Sequence, residues 1–208
     1  MSRLELDHVV IAVADLETAA QELEARHDLT SVEGGRHPDW GTANRIVPLG
    51  ETYLELIAVA DAVTAEQSEP GRWVAGAQPG RPLGWAVRTR NLGEVARRLD
   101  LPVSAGSRTT PDGEVLRWRS AGLEQSVAEP ALPFFIEWDT KTPLPGRARV
   151  LHPAGPVELA RLKLEGDRRR LAAWLGEHQL PNTVQEGEPA VASIVLESPA
   201  GEIVLGAD

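Results

Sequence analysis

Two stretches of this chain follow one plan, and that plan constrains the fold more than any other feature. LDHVVIAVADLETAAQEL (residues 6–23) superposes without gaps on PLGWAVRTRNLGEVARRL (residues 82–99), so that Val9 falls on Trp85, Ile11 on Val87 and Leu23 on Leu99. Each begins with period-two alternation and continues with apolar residues at helical spacing, which predicts a strand leading into an amphipathic helix. In the first copy Val9, Ile11 and Val13 share one face of the strand, and His8, Val10 and Ala12 share the other. Asp15 and Asn91 stand at the junctions as N-caps, and the helix stripes are Leu16, Ala19, Ala20, Leu23 and Leu92, Val95, Ala96, Leu99. The likeness returns further on. YLELI (residues 53–57) and FFIEW (residues 134–138) each set a glutamate within an apolar strand, and aligning them puts Glu137 on Glu55. A unit repeated at both its front and its back is stronger evidence than any single strand assignment.

Taken in order, residues 1–60 read as a βαβββ unit. After the first helix come a short strand at 29–32, a Gly-rich polar loop GGRHPDWGTAN (residues 34–44), a strand at 45–49, a Gly50–Glu51 turn and the strand YLELI. Residues 61–81 have no clear period and read as a linker with one helical turn. The second unit occupies 82–140, with a strand at 115–119 after the Pro111–Asp112–Gly113 turn; together the two units make one domain over 1–140. A third βαβββ-like unit follows over 150–208. Its helix is capped by Asp167, with Leu171, Trp174 and Leu175 inward, and its final hairpin turns at Pro199–Ala200–Gly201. The expected fold class is therefore α+β, built from tandem βαβββ modules. No histidine or carboxylate of the third unit falls on a ligand-like position.

Composition narrows the function. The 208 residues carry a formal net charge of −10 with the two signs interspersed, which argues against nucleic acid or an anionic membrane as a partner. Cysteine is absent, so disulfides, thiolate nucleophiles and Cys-bound metals are excluded. The first residues enter a strand directly and no apolar run reaches membrane-spanning length, so a cytoplasmic protein is the expectation. Six Trp against two Phe and one Tyr is an unusual aromatic balance, and Trp lines pockets as well as cores.

The chemical signal is His8, Glu55 and Glu137, each embedded in an apolar strand. A carboxylate there is costly to bury unless it is paired or coordinated. Without a metal, two carboxylates in one cup would hold a proton between them. His8 has a plainer reading, as a histidine hydrogen-bonded to Asp7.

The repeated unit, with DHVVIAVADLETAA, GGRHPDWGTAN, YLELIAV and LPFFIEW, resembles the vicinal oxygen chelate superfamily and its glyoxalase-like domain group, over about residues 4–139. The resemblance implies that two modules pair their sheets into one cupped, incomplete barrel holding a divalent metal. Its ligands would be His8, Glu55 and Glu137, with Glu55 or Glu137 also available as a catalytic base. The fourth position falls on Gly84, which has no donor. Such a set suits Mn²⁺, Fe²⁺, Co²⁺, Ni²⁺ or Zn²⁺ polarising a small oxygenated substrate, in lyase, isomerase or dioxygenase chemistry. His37, Trp40, Thr42 and Asn44 would form a substrate-binding rim, or else a self-satisfied loop. Arg88 or Arg117 would bind an anionic substrate group, or else stay solvated or neutralise the glutamates. Trp85, Trp118 and Trp138 read as core. Two other classes stand beside the enzyme. One is a metal-free binding or sequestering protein, which the missing donor at Gly84 supports. The other is an assembly module that forms a homodimer through the unpaired third unit.

Overall fold

The computed structural model describes residues 3–206. The first unit contains β1 (Glu5–Ala12), α1 (Leu16–His27), β2 (Val32–His37), β3 (Thr42–Leu49) and β4 (Thr52–Val59). Asp15 caps α1 by accepting from the Thr18 N–H at 2.8 Å. The polar stretch expected as a loop is mostly a β2–β3 hairpin, turning at residues 38–41. The expected linker holds two short helices, α2 (Ala62–Gln67) and α3 (Glu69–Ala75), capped by Asp61 and Ser68. Helices this short carry too few apolar positions for a period to register.

The second unit contains β5 (Pro82–Arg88), α4 (Leu92–Leu99), β6 (Val103–Thr109), β7 (Val115–Ala121), α5 (Leu123–Ala128) and β8 (Phe134–Trp138). β6 had no alternating signal because its residues are small, polar and mostly exposed. In both units the first strand pairs in parallel with the last, and the order across the sheet is first, last, third, second.

The eight strands form a ring, β1-β4-β3-β2-β6-β7-β8-β5, rather than the incomplete barrel expected. β1 and β5 join it along an antiparallel ladder, while β2 and β6 meet at a single residue pair, Arg36 and Thr109. The glycines at 34 and 35 explain that seam. Gly35 has φ +145°, and a Cβ on it would lie 2.2 Å from the Thr109 carbonyl oxygen, so the strands approach only where no side chain stands between them.

The ring separates two clusters. Outward residues such as Val9, Leu54, Leu56, Trp85, Val87 and Phe135 enter the main core beneath α1 and α4. Inward residues Val10, Ile57, Ala86, Trp118, Phe134 and Ile136 form a second cluster with Trp40, Trp73 and Trp138.

β9 (Glu158–Glu165), α6 (Arg168–Leu175), β10 (Asn182–Gln185), β11 (Ala190–Ser198) and β12 (Gly201–Leu205) complete the chain. Their element order is that of a further βαβββ unit, but their pairing is not. The sheet runs β10-β9-β11-β12, with its first strand inside rather than beside its last. This sheet packs on its own chain behind the barrel, where Leu162, Leu164, Ile194 and Leu196 share the main core. Trp174 lies 5.8 Å from Phe135 between ring centres and donates to the Pro133 carbonyl at 2.8 Å. The connection is held by His152, which accepts from the Thr30 N–H at 3.0 Å and contacts the Pro48 carbonyl at 2.8 Å. Among the described residues no helix is long and apolar enough to cross a membrane.

Candidate functional site

The inward faces of β1 to β4 bring His8, His37, Asn44 and Glu55 into one small cavity of about 40 Å³. His8 is 3 % exposed and Asp7 beside it 1 %. Asp7 Oδ1 lies 2.6 Å from His8 Nδ1, and its Oδ2 accepts from Trp138 Nε1 at 3.0 Å and from Arg88 Nη1 at 3.4 Å. A carboxylate can only accept, so Nδ1 carries a proton and the free edge of the ring is Nε2. That nitrogen faces Glu55 Oε2 at 3.4 Å. Two lone pairs would repel there, and a proton held between the two atoms removes the repulsion. Tyr53 stacks on the imidazole at 4.6 Å and Phe134 meets it edge-on at 5.5 Å. Burial, with Asp7 and Glu55 adding to it, raises the Tyr53 hydroxyl well above its usual range, so the phenol keeps its proton.

Glu55 is held from its other side. Its Oε1 accepts from Asn44 Nδ2 at 2.5 Å, and Asn44 Oδ1 accepts from Arg108 Nη1 at 3.2 Å. Gly34 makes this possible, because a Cβ there would lie 2.1 Å from Asn44 Oδ1 and 2.6 Å from Arg108 Nη1. His37 Nε2 comes within 4.0 Å of Glu55 Oε1, while its Nδ1 pairs with the Thr42 hydroxyl at 3.0 Å. Burial lowers the His37 pKa to about 4, with Glu55 pulling the other way, so this ring is neutral near pH 7. Trp40 stacks on it at 4.8 Å.

His8, Glu55, His37, Trp40 and Asn44 therefore meet as the sequence suggested, and Thr42 braces His37. Three other expected positions lie elsewhere. Arg88 does not face the cavity; it braces Asp7 and pairs with Glu5 at 2.9 Å. Arg117 is exposed on β7, because alternation sends its neighbour Trp118 inward. Glu137 shares the outward face of Phe135. Its Oε2 accepts from the Leu92 N–H at 3.3 Å and from Arg119 Nη2 at 2.6 Å, capping α4 where Asn91 makes no side-chain cap. The strand pairings explain the misalignment. Val10 pairs with Glu55, and its counterpart Ala86 pairs with Phe134, so Phe134 rather than Glu137 is the counterpart of Glu55. Trp118 and Trp138, expected as core, line the cavity, as do Tyr53 and Arg108, which the sequence reading did not single out. Arg108 alternates with Gly106 on β6, a signal legible only once β6 is known to be a strand.

The donors present do not make the metal site that the resemblance implies. Glu137 is turned away, Gly84 and Phe134 supply no ligand, and Trp73 fills the space over Gly84, 2.9 Å from where a Cβ would stand. Among the described residues no group of three or more His, Asp or Glu side chains is arranged to hold an ion. The cavity also contains the Arg108 cation. A larger groove of about 700 Å³ lies outside the barrel, between α1, residues 78–81 and β12. It gathers no comparable buried cluster, so the chemistry belongs to the small cavity.

The sequence model of the glyoxalase-like domain matches residues 6–180. The chain belongs to the glyoxalase-like domain family. The match runs past the barrel to take in β9 and α6, further than the repeated motifs alone reach. Among solved structures, a hypothetical protein from Staphylococcus aureus is similar over 94 % of this chain and 91 % of its own, at a TM-score of 0.70 and 13 % identity. Methylmalonyl-CoA epimerase from Mycobacterium tuberculosis is 21 % identical, covering 64 % of this chain and 85 % of its own at a TM-score of 0.46. A variant of the Streptomyces coelicolor epimerase in complex with 2-nitronate-propionyl-CoA is 17 % identical, covering 66 % and 97 % at 0.48. No curated protein matches the sequence. The likeness to the Staphylococcus aureus protein bears on the fold alone and leaves the chemistry of this glyoxalase-like protein to its own residues.

Proposed function

We propose that the cup of this glyoxalase-like protein is the active site of an isomerase-type enzyme that moves a proton on a small oxygenated molecule. The observation carrying this reading is the buried chain Asp7–His8–Glu55, with contacts of 2.6 and 3.4 Å. Asp7 orients the ring by accepting its Nδ1–H, and in the reacting state the proton between Nε2 and Glu55 would rest on Nε2, leaving Glu55 a carboxylate. Glu55 would take the proton from a carbon next to a carbonyl. The Nε2–H of His8 would donate to the carbonyl oxygen, where the negative charge gathers. Return of the proton to the carbon regenerates both groups. The apolar walls keep water away and strengthen each electrostatic contact. Acid–base catalysis of this kind contributes about 10²–10⁴-fold.

The walls formed by Trp40, Trp118 and Trp138 favour a second reading, a binding protein of the same fold. Hydrogen–deuterium exchange separates the two. A panel of 2-oxo acids, 2-hydroxy ketones and 1,3-dicarbonyls is incubated with protein in D₂O and followed by proton NMR. Enzyme-dependent loss of a signal next to a carbonyl, at least about 100-fold slower in Glu55→Gln and His8→Gln, is the expected result. Saturable quenching of tryptophan fluorescence without exchange would transfer the cup to the binding reading.

A further inference from the structure

We propose that Arg108 is the recognition residue for a carboxylate on the ligand, so that the cup takes small organic acids; this rests on the cup being the ligand site. Arg108 is 4 % exposed on a strand whose other residues are mostly exposed. No carboxylate of the described residues lies within ion-pairing distance of it, and its one hydrogen bond runs from Nη1 to Asn44 Oδ1 at 3.2 Å. Arg88 shows what a structural arginine looks like in this fold. It reaches Glu5 at 2.9 Å, Asp7 at 3.4 Å and Glu51 at 3.6 Å. A guanidinium removed from water with no carboxylate in direct contact is expensive to keep unless an anion arrives.

The surroundings of Arg108 are built to present it. Asn44 cannot turn, because its Nδ2 is committed to Glu55, so Oδ1 faces the guanidinium. Gly34 leaves the space that both side chains occupy, and Gly106 lets the Trp118 ring lie over β6, since a Cβ there would meet that ring at 2.4 Å. The remaining guanidinium N–H groups form a planar fork suited to the two oxygens of a carboxylate. Charge and size select the monoanion. Arg108 supplies one positive charge, Glu55 is close by on Asn44, and a cavity of about 40 Å³ admits a carboxylate head more readily than a phosphate dianion. The bound acid would place its next carbon towards Glu55 and His8, with its body against Trp118 and Trp138.

Tryptophan fluorescence provides the test, with 2-oxobutanoate and its uncharged counterpart pentane-2,3-dione as probes. The expected result is saturable binding of the acid and at least tenfold weaker binding of the dione. Arg108→Met should weaken the acid at least tenfold without changing the dione, and Arg108→Lys should recover part of the loss. Ligand-free Arg108→Met should melt at or above the wild type, since no ion pair is lost; a purely structural arginine would lower the melting temperature. Equal affinity for both probes, an Arg108→Met protein that binds the acid as the wild type does, or no binding of 2-oxobutanoate would each overturn the assignment. The two proposals fail separately. Acid binding without hydrogen–deuterium exchange removes the proton-transfer reading and keeps the role of Arg108. Exchange that runs equally on the dione and in Arg108→Met does the reverse.

Discussion

In the first half of the barrel the inward positions of β1 to β4 carry His8, His37, Asn44 and Glu55, whereas in the second half the counterparts of His8 and Glu55 are Gly84 and Phe134. The outward positions tell the opposite story. Val9 and Ile11 correspond to Trp85 and Val87, and all four are buried in the same core. Strand order and burial behind the sheet are thus shared by the halves, while the chemistry inside the cup is not. A duplicated scaffold needs only its outward residues to stay apolar, which leaves the inward ones to differ. The second half contributes walls, through Trp118, Phe134 and Trp138, and one cation, Arg108.

The largest effect expected from erasing this difference is a gain of metal binding. Phe134→Glu sets a carboxylate where the ring now meets His8 edge-on, 5.5 Å between centres, completing a three-donor set with Glu55. Calorimetry with Zn²⁺ should show affinity at least about 100-fold above the wild type. Equal binding by both proteins would mean that the halves do not differ in the way described. The seam between the halves comes next. Gly35→Val drives a side chain into the Thr109 carbonyl and should cost about 3 kcal/mol in denaturant unfolding, with cooperativity retained. A loss below about 0.5 kcal/mol would show that the ring does not depend on that contact.

Acid should weaken the first half through His37. Its folded pKa, about 4, lies below the unfolded value of 6.5, so the unfolded chain takes up the proton first. The stability associated with the neutral ring is fully present above pH 6.5 and is lost as the pH falls towards 4, by up to about 3 kcal/mol. His37→Phe should flatten this part of the pH–stability curve; an unchanged slope would assign the acid sensitivity to other groups. The smallest effect belongs to Glu137. Glu137→Gln removes a charge from the start of α4 and should cost about 1 kcal/mol while leaving ligand binding in the cup unaltered. Weakened ligand binding in this variant would return Glu137 to the site.

Much of this was readable in the sequence for definite reasons. Val9, Ile11, Leu54 and Leu56 alternate with inward residues, so the faces of β1 and β4 followed from periodicity, and with them the meeting of His8 and Glu55. The stretch from His37 to Asn44 was noticed for its composition, though not as a hairpin. Glu137 was misplaced because similar strands invite alignment by residue type, while a pairing register fixes which residues are counterparts. Arg108 was missed because β6 is short of apolar residues and leaves no alternation to read.

What the sequence determined by itself is the repeated strand–helix unit, its outward core and the family, since these depend on local periodicity that survives in a linear string. What only the tertiary structure decided is which inward groups share the cup. A β-strand reverses its face with each residue, so a register error moves a carboxylate from the cavity to a helix cap. The closing of β2 on β6, which carries Arg108 to Asn44, is a contact between residues far apart in the chain that no local pattern encodes.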